Sequence, residues 1–184
     1  MLILIADDES IIRLGLKSML EGAGHEVIAA TNGREAIRMA ERQQPDLAIL
    51  DIQMPYTDGL QAARAITATR PLPILILTAF SEQDLIDKAT DLPIQGYLVK
   101  PIEPDALGAA IKVAAKRFAE SRALAARTAQ LEADLATRKL IDRAKGRLMG
   151  EGMTEEEAYR EIQERARRER QTLASVAAAI LTNC

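Results

Sequence analysis

Five short apolar runs punctuate the first hundred residues: Leu2–Ala6, Val27–Ala30, Leu47–Leu50, Ile74–Leu77 and Tyr97–Val99. Each gap between them except the last holds a stretch long enough for an amphipathic helix, which reads as a βα alternation. The runs are apolar at nearly every position rather than at every second one. Strands of that kind are covered on both faces, so the pattern predicts an α/β fold with a doubly wound, five-stranded parallel sheet. The breakers agree. Gly22-Ala23-Gly24 ends the first helix, Asn32-Gly33 opens the second, Pro71 and Pro73 precede the fourth strand, and Pro101 and Pro104 separate the fifth strand from the last helix.

From Asp105 to Lys145 the chain has no proline and one glycine, Gly108, so the last helix of this domain can run on well past the sheet. Leu124, Leu131 and Leu135, with Thr128 between them, fit about two heptads of a coiled-coil seam. Three further apolar stripes follow. The first carries Leu140, Ile141, Ala144 and Leu148 and stops near Gly150-Glu151-Gly152. The second opens on Thr154, which with Glu157 makes a capping box, and shows Ala158, Ile162 and Ala166 with Tyr159 beside them. The third carries Leu173, Val176, Ala177, Ile180 and Leu181. The expected organisation is therefore a sheet domain at 1–118, a helical linker at 119–136 and an all-α three-helix bundle at 137–184. The bundle's core is thin, so help from the long helix or a second subunit is expected.

Composition removes most other classes. No apolar run approaches the roughly 18 residues of a membrane span, and acids stand in MLILIADDE where a signal peptide would still be hydrophobic; a cytoplasmic protein without membrane contact is expected. The single cysteine is Cys184, read as a frayed terminus, and the single histidine is His25, read as a surface residue entering the second strand. Zinc clusters, Cys-His nucleophiles and Ser-His-Asp triads therefore cannot be assembled, and an independent enzyme is the poorest fit. The net charge of −3 hides an asymmetry. Residues 1–115 hold 10 basic and 16 acidic residues, net −6, whereas residues 116–184 hold 14 and 11, net +3. With 3% aromatic residues and no Trp, broad base-stacking surfaces are excluded, so any nucleic-acid contact must come from helices and basic side chains.

The polar residues of the first domain gather at strand ends. Asp7-Asp8-Glu9 follow the first run, Asp51 the third, Thr78 the fourth and Lys100 the fifth. In open parallel sheets the carboxyl edge is where ligands bind. Three aspartates, a hydroxyl and an ammonium converging there would be self-repelling unless a hard divalent cation such as Mg²⁺ joined them. A carboxylate beside that ion can attack a phosphoryl donor and become an aspartyl phosphate. Asp51 is the best acceptor, because it ends the run LAIL in mid-sheet and the loop with Pro55, Asp58 and Gly59 leaves its face open. Lys100 and Thr78 would then meet phosphoryl oxygens. Any one of these residues could be a helix cap or a loop acid; their joint occurrence at four strand ends carries the argument.

ADDE at 6–9, LDIQMPYTDG at 50–59, LTAFS at 77–81 and YLVKP at 97–101 resemble the response-regulator receiver domain of two-component signalling over about residues 1–118. The resemblance implies a flavodoxin-like fold, Asp51 as phosphoacceptor, and a sensor histidine kinase as partner. It further implies Mg²⁺ held by Asp8, Asp51 and the backbone carbonyl of Gln53, with Asp7 acting largely through water. Thr78 and Lys100 would read the phosphate, Tyr97 would be an aromatic switch that turns inward, and the Lys100-Pro101 bond would be cis. A receiver catalyses only its own phosphorylation and hydrolysis.

In the second domain RKLIDRAKGRLM at 138–149 interleaves cations with an apolar stripe, and Arg165, Arg167, Arg168 and Arg170 crowd the end of the next helix. Such arginines are individually most often a solvated face; as a cluster tethered to an acidic switch they suggest a nucleic-acid reader. A helix-turn-helix fits poorly, since the Gly150–Thr154 break is long and the last helix is nearly without charge. The segment, with MTEEEAY at 153–159 and the last helix from Leu173, resembles the ANTAR domain of RNA-binding antiterminators over about 130–182. That resemblance implies homodimers through the coiled-coil linker, hairpin-loop RNA as ligand, and Lys145, Gly146, Arg147 and Arg170 at the RNA surface. Arg165 and Arg167 depart from the family's usual small or Met residues, and Arg167 joins the candidate RNA contacts. The resulting expectation is a phosphorylation-switched antiterminator. The alternatives are a DNA-binding regulator and an output that only binds protein.

Overall fold

A computed structural model describes residues 1–79 and 94–182. The chain divides into two compact units, Met1–Ser121 and Arg122–Cys184. In the first, β1 (Leu2–Ala6), β2 (Glu26–Ala30), β3 (Leu47–Asp51), β4 (Ile74–Thr78) and β5 (Gly96–Val99) form one parallel sheet in the order β2-β1-β3-β4-β5. The expected α/β architecture is present. The last gap (80–93), with Phe80 and Ser81 of the third motif, lies outside the described residues, as does Cys184.

The strands need continuous apolar runs because helices cover both faces. Leu4, Leu50 and Ile76 meet Ala36 and Ala40 of α2 (Gly33–Gln43) and Ala62 and Ile66 of α3 (Gly59–Thr69). Ile3, Ile5, Ile49 and Leu75 meet Leu16 and Leu20 of α1 (Ser10–Gly22) and Leu107, Ile111 and Ala114 of α4 (Pro104–Gly150). All five positions of β3 and of β4 are buried, each large side chain contributing roughly 1.5–3 kcal/mol of transfer energy. β3 and β4 are therefore the stiffest part of the frame, and they carry Asp51 and Thr78.

Helix ends follow their caps. The Asn32 side chain accepts from the Glu35 backbone N–H, while the Glu35 carboxylate accepts from the Thr31 N–H and hydroxyl. Pro104 begins α4 rather than only preceding it, a position where the missing N–H costs nothing. His25 is half-buried rather than on the surface, and its Nδ1 is buried without a hydrogen-bond partner.

Helix α4 runs unbroken for 47 residues, so the expected linker and the first bundle helix are one element. Leu124, Leu131 and Leu135 stand on it 68%, 57% and 57% exposed. In the second unit Ala144 and Leu148 of α4, Ala158, Ile162 and Ala166 of α5 (Glu155–Glu169) and Val176, Ala177 and Ile180 of α6 (Leu173–Thr182) share one small core. Four of these eight side chains are alanine, which explains why so little apolar volume closes it.

Helix α5 starts on a complete capping box: the Thr154 hydroxyl accepts from the Glu157 N–H, and the Glu157 carboxylate accepts from the Thr154 N–H. Those bonds to Thr154 hold the Glu157 carboxyl below its ordinary value of 4.5. A carboxylate with a depressed folded-state value stabilises above its unfolded value and loses that contribution as pH falls through the folded one. Glu157→Ala should therefore destabilise the chain at neutral pH. In urea melts the gap to wild type should narrow as pH falls below 4.5; a gap independent of pH would exclude this ionic contribution.

Candidate functional site

The strand register assembles the site. Asp51 pairs with Leu77, and Thr78 with Val99, so Asp51, Thr78 and Lys100 end adjacent strands at the carboxyl edge. Ala6 lies level with Leu50, which brings Asp7 beside Asp51. Oxygen atoms of Asp7, Asp8 and Asp51 all lie within 4.8 Å of one another. Lys100 Nζ stands 2.9 Å from Asp7 Oδ2, 2.9 Å from Asp51 Oδ1 and 3.7 Å from Glu9 Oε1. Burial works to lower the Lys100 pKa, but the adjoining carboxylates of Asp51 and Asp7 outweigh it, and the ammonium is held above its ordinary value.

Asp7 is fully buried and Asp51 is 5% exposed, whereas Asp8 is exposed. Asp7 Oδ1 accepts from the Glu9 N–H at 2.8 Å. Asp7 Oδ2 has its ion pair with Lys100 but no donor aligned for a hydrogen bond. A buried carboxylate oxygen left so is rare. Four carboxylates around one ammonium leave excess negative charge, and the donors are all hard oxygens. The cluster thus fits a hard divalent cation such as Mg²⁺.

The loop after β3 is held by backbone contacts. Ile52 N–H donates to the Leu77 carbonyl and Gly59 N–H to the Ile52 carbonyl. A Cβ on Gly59 would sit 2.0 Å from the Asp51 carbonyl oxygen, so only glycine allows α3 to start there. Asp58, which caps α3 by accepting from the Gln61 N–H, lines with Asp8, Ile52, Gln53, Met54, Pro55 and Leu60 an open depression of about 480 Å³ beside Asp51. Gln53 is exposed on that rim. The Thr78 hydroxyl is buried and donates to the Ala79 carbonyl. Tyr97 lies on β5, 37% exposed, and the Lys100-Pro101 bond is cis.

In the second unit the sequence-selected cations separate. Lys145 Nζ is 2.8 Å from Glu155 and 3.1 Å from Asp142, and these partners hold its pKa above the ordinary value. It braces the turn between α4 and α5. Arg147 pairs with Glu151, and Arg165 with Glu161. Arg167 is exposed, and Arg170 ends α5 in a left-handed conformation, φ 53°. Gly146 is exposed near the C-terminal end of α4, four residues before its last residue Gly150, and a Cβ there would meet nothing within 4 Å. One and two turns before it on the same exposed face, Arg143 and Lys139 make no ion pair among the described residues. The sequence placed both in a cation-bearing segment without selecting them as contacts, although their spacing of three and seven residues from Gly146 was a usable signal.

A five-stranded parallel sheet that brings an acid pair, an aspartate, a threonine and a lysine to one edge defines a receiver domain. The chain belongs to the response regulators of two-component systems, with a receiver joined to an ANTAR output: residues 3–112 match the response regulator receiver domain and residues 129–181 the ANTAR domain. It is 45% identical over 181 residues to the transcriptional regulatory protein PdtaR of Mycobacterium tuberculosis, covering 97% of this chain and 88% of that protein. It is 39% identical over 117 residues to a probable transcriptional regulator, ycf27, of Galdieria sulphuraria, covering 62% of this chain and 45% of that one. Among solved structures, the receiver domain of AraT, a response regulator from Geobacillus stearothermophilus, is similar with a TM-score of 0.58 and 32% identity. It covers 65% of this chain and 97% of its own. No helix among the described residues is long and apolar enough to cross a membrane.

Gly59→Ala should cost about 1–3 kcal/mol by forcing a methyl against backbone. Gly108→Ala, where a Cβ would meet nothing within 4 Å in α4, should be neutral or stabilising by up to about 1 kcal/mol. Thermal melts of the two variants side by side check the difference; equal effects would contradict the close approach at Gly59.

Proposed function

We propose that the chain is a phosphorylation-switched RNA-binding antiterminator. The observation that carries the receiver half is Lys100 bridging Asp7 and Asp51 at 2.9 Å each. Asp8, Asp51 and the backbone carbonyl of Gln53 would hold Mg²⁺, with Asp7 acting largely through water. The ion would offset carboxylate charge and that of the incoming phosphoryl group. An Asp51 oxygen would attack the phosphorus of a histidine kinase's phosphohistidine, the P–N bond would break, and the kinase's imidazole would leave with the electron pair. Lys100 neutralises one phosphoryl oxygen and the Thr78 hydroxyl swings from Ala79 to donate to another. Tyr97 then turns inward behind Thr78. On this reading the chain is a switch whose receiver acts only on its own phosphoryl group.

For the output, what supports RNA is the exposed Lys139–Arg143–Gly146 stripe together with Arg167 and Arg170. A glycine in an exposed helix interior is less favourable than alanine by about 1 kcal/mol, and no neighbour in the chain needs the space. That cost is understandable if a ligand's backbone or base approaches the helix there. Lys145 and Arg147 act through the acids they hold, shaping the α4–α5 turn below that surface. Hairpin loops suit it better than stems, because bases in an A-form stem are hard to reach. The exposed Leu124, Leu131 and Leu135 support a second copy of the chain as partner, joined along the seam.

In acetyl phosphate and Mg²⁺, wild-type protein should gain one alkali-labile, hydroxylamine-sensitive phosphoryl group, and Asp51→Asn none. Retention of the label in Asp51→Asn would overturn the acceptor assignment. Gly146→Ala should raise the melting temperature yet weaken binding to a two-hairpin RNA about tenfold, roughly 1.4 kcal/mol. Equal, weak, salt-erased binding of wild type to RNA and duplex DNA would leave a protein partner as the output instead.

A further inference from the structure

Arg13 stands in the first turns of α1, six residues beyond Asp7, and the phosphate chemistry gives it no task. Its Nη1 donates to two backbone carbonyls, that of Asp7 at 2.8 Å and that of Asp8 at 3.2 Å. These belong to the two residues whose carboxylates enter the acidic cluster from the β1–α1 loop. The loop is otherwise fixed by three contacts: the Asp7 N–H on the Ala30 carbonyl, the Glu9 N–H on Asp7 Oδ1, and the Arg13 N–H on the Glu9 carbonyl. None of these touches the carbonyl of Asp7 or of Asp8. Arg13 alone among the described side chains reaches both carbonyls, so one guanidinium sets the tilt of two successive peptide planes.

We propose that Arg13 is a positioning residue for cation binding, holding the peptides of Asp7 and Asp8 so that both carboxylates face Asp51. The assignment rests on the reading of this cluster as a Mg²⁺ site. It makes a prediction opposite in sign to plain electrostatics. A cation beside the cluster repels a divalent ion, so a bystander arginine, once removed, would let Mg²⁺ bind more tightly. A positioning arginine, once removed, leaves the ligands badly aimed and weakens binding, by about tenfold where an outer partner of a metal ligand is lost.

The test is calorimetric titration of the full chain with Mg²⁺ alone, without phosphodonor. Arg13→Met and the milder Arg13→Gln should each raise the Mg²⁺ Kd about tenfold. Arg13→Lys, which keeps a donor and the charge, should stay within about threefold of wild type. Melting temperatures measured without Mg²⁺ separate a general loss of fold, which would lower stability in EDTA as much as in Mg²⁺. Unchanged or tighter Mg²⁺ binding in Arg13→Met and Arg13→Gln would overturn the assignment while leaving the site reading intact. A wild-type chain that binds no Mg²⁺, or binds it equally well as Asp8→Asn, would overturn both.

Discussion

The first unit is organised around a repulsion. Two unit charges about 4 Å apart in a partly shielded site interact by about 4 kcal/mol, and Asp7, Asp8 and Asp51 approach one another within 4.8 Å. No fold would gather them without something in return. Lys100, delivered from the end of β5, supplies part of it by touching two of the three. The register that places it there is the register of the whole sheet, since shifting β5 along β4 would carry the lysine away from the acids. Sheet order, continuous apolar strands and a rigid β3–β4 pair are in this sense the means of holding one unfavourable charge arrangement in place.

The second unit is built differently. Half of its buried core residues are alanine, so caps and turn braces carry a larger share beside a small buried volume. The capping box at Thr154 and Glu157 and the Lys145 bridge to Glu155 act on the same turn. Charges that fasten the bundle are thereby withdrawn from its surface, and the cations left exposed are fewer than the composition of the segment suggests.

This bears on what the sequence made legible. The strands were readable because coverage on both faces forces apolar residues at every position, and the long helix because nothing between Asp105 and Lys145 breaks it. Asp7, Asp51, Thr78 and Lys100 were readable because strand ends converge by topology alone. Lys145 was not, since its partner Glu155 comes from another helix and the choice between solvent and ion pair depends on the turn between them. Arg13 was hidden for another reason. It binds backbone carbonyls, which every residue has, so no side-chain pattern announces it.

Glycine 59 divides the labour of the site. The Asp51 carbonyl fits against α3 with no room for a methyl, and the next peptide is tied to β4 through the Leu77 carbonyl. The loop of Asp51, the proposed acceptor, is therefore a stator. The Thr78 hydroxyl is bonded to the carbonyl of its own neighbour and not to the sheet's strand ladder. On the proposed reading, a dianion arriving at Asp51 would meet a fixed anchor on one side and a hydroxyl on the other, so its charge would be expressed as displacement at the β4 end rather than dissipated in the nucleophile's own loop.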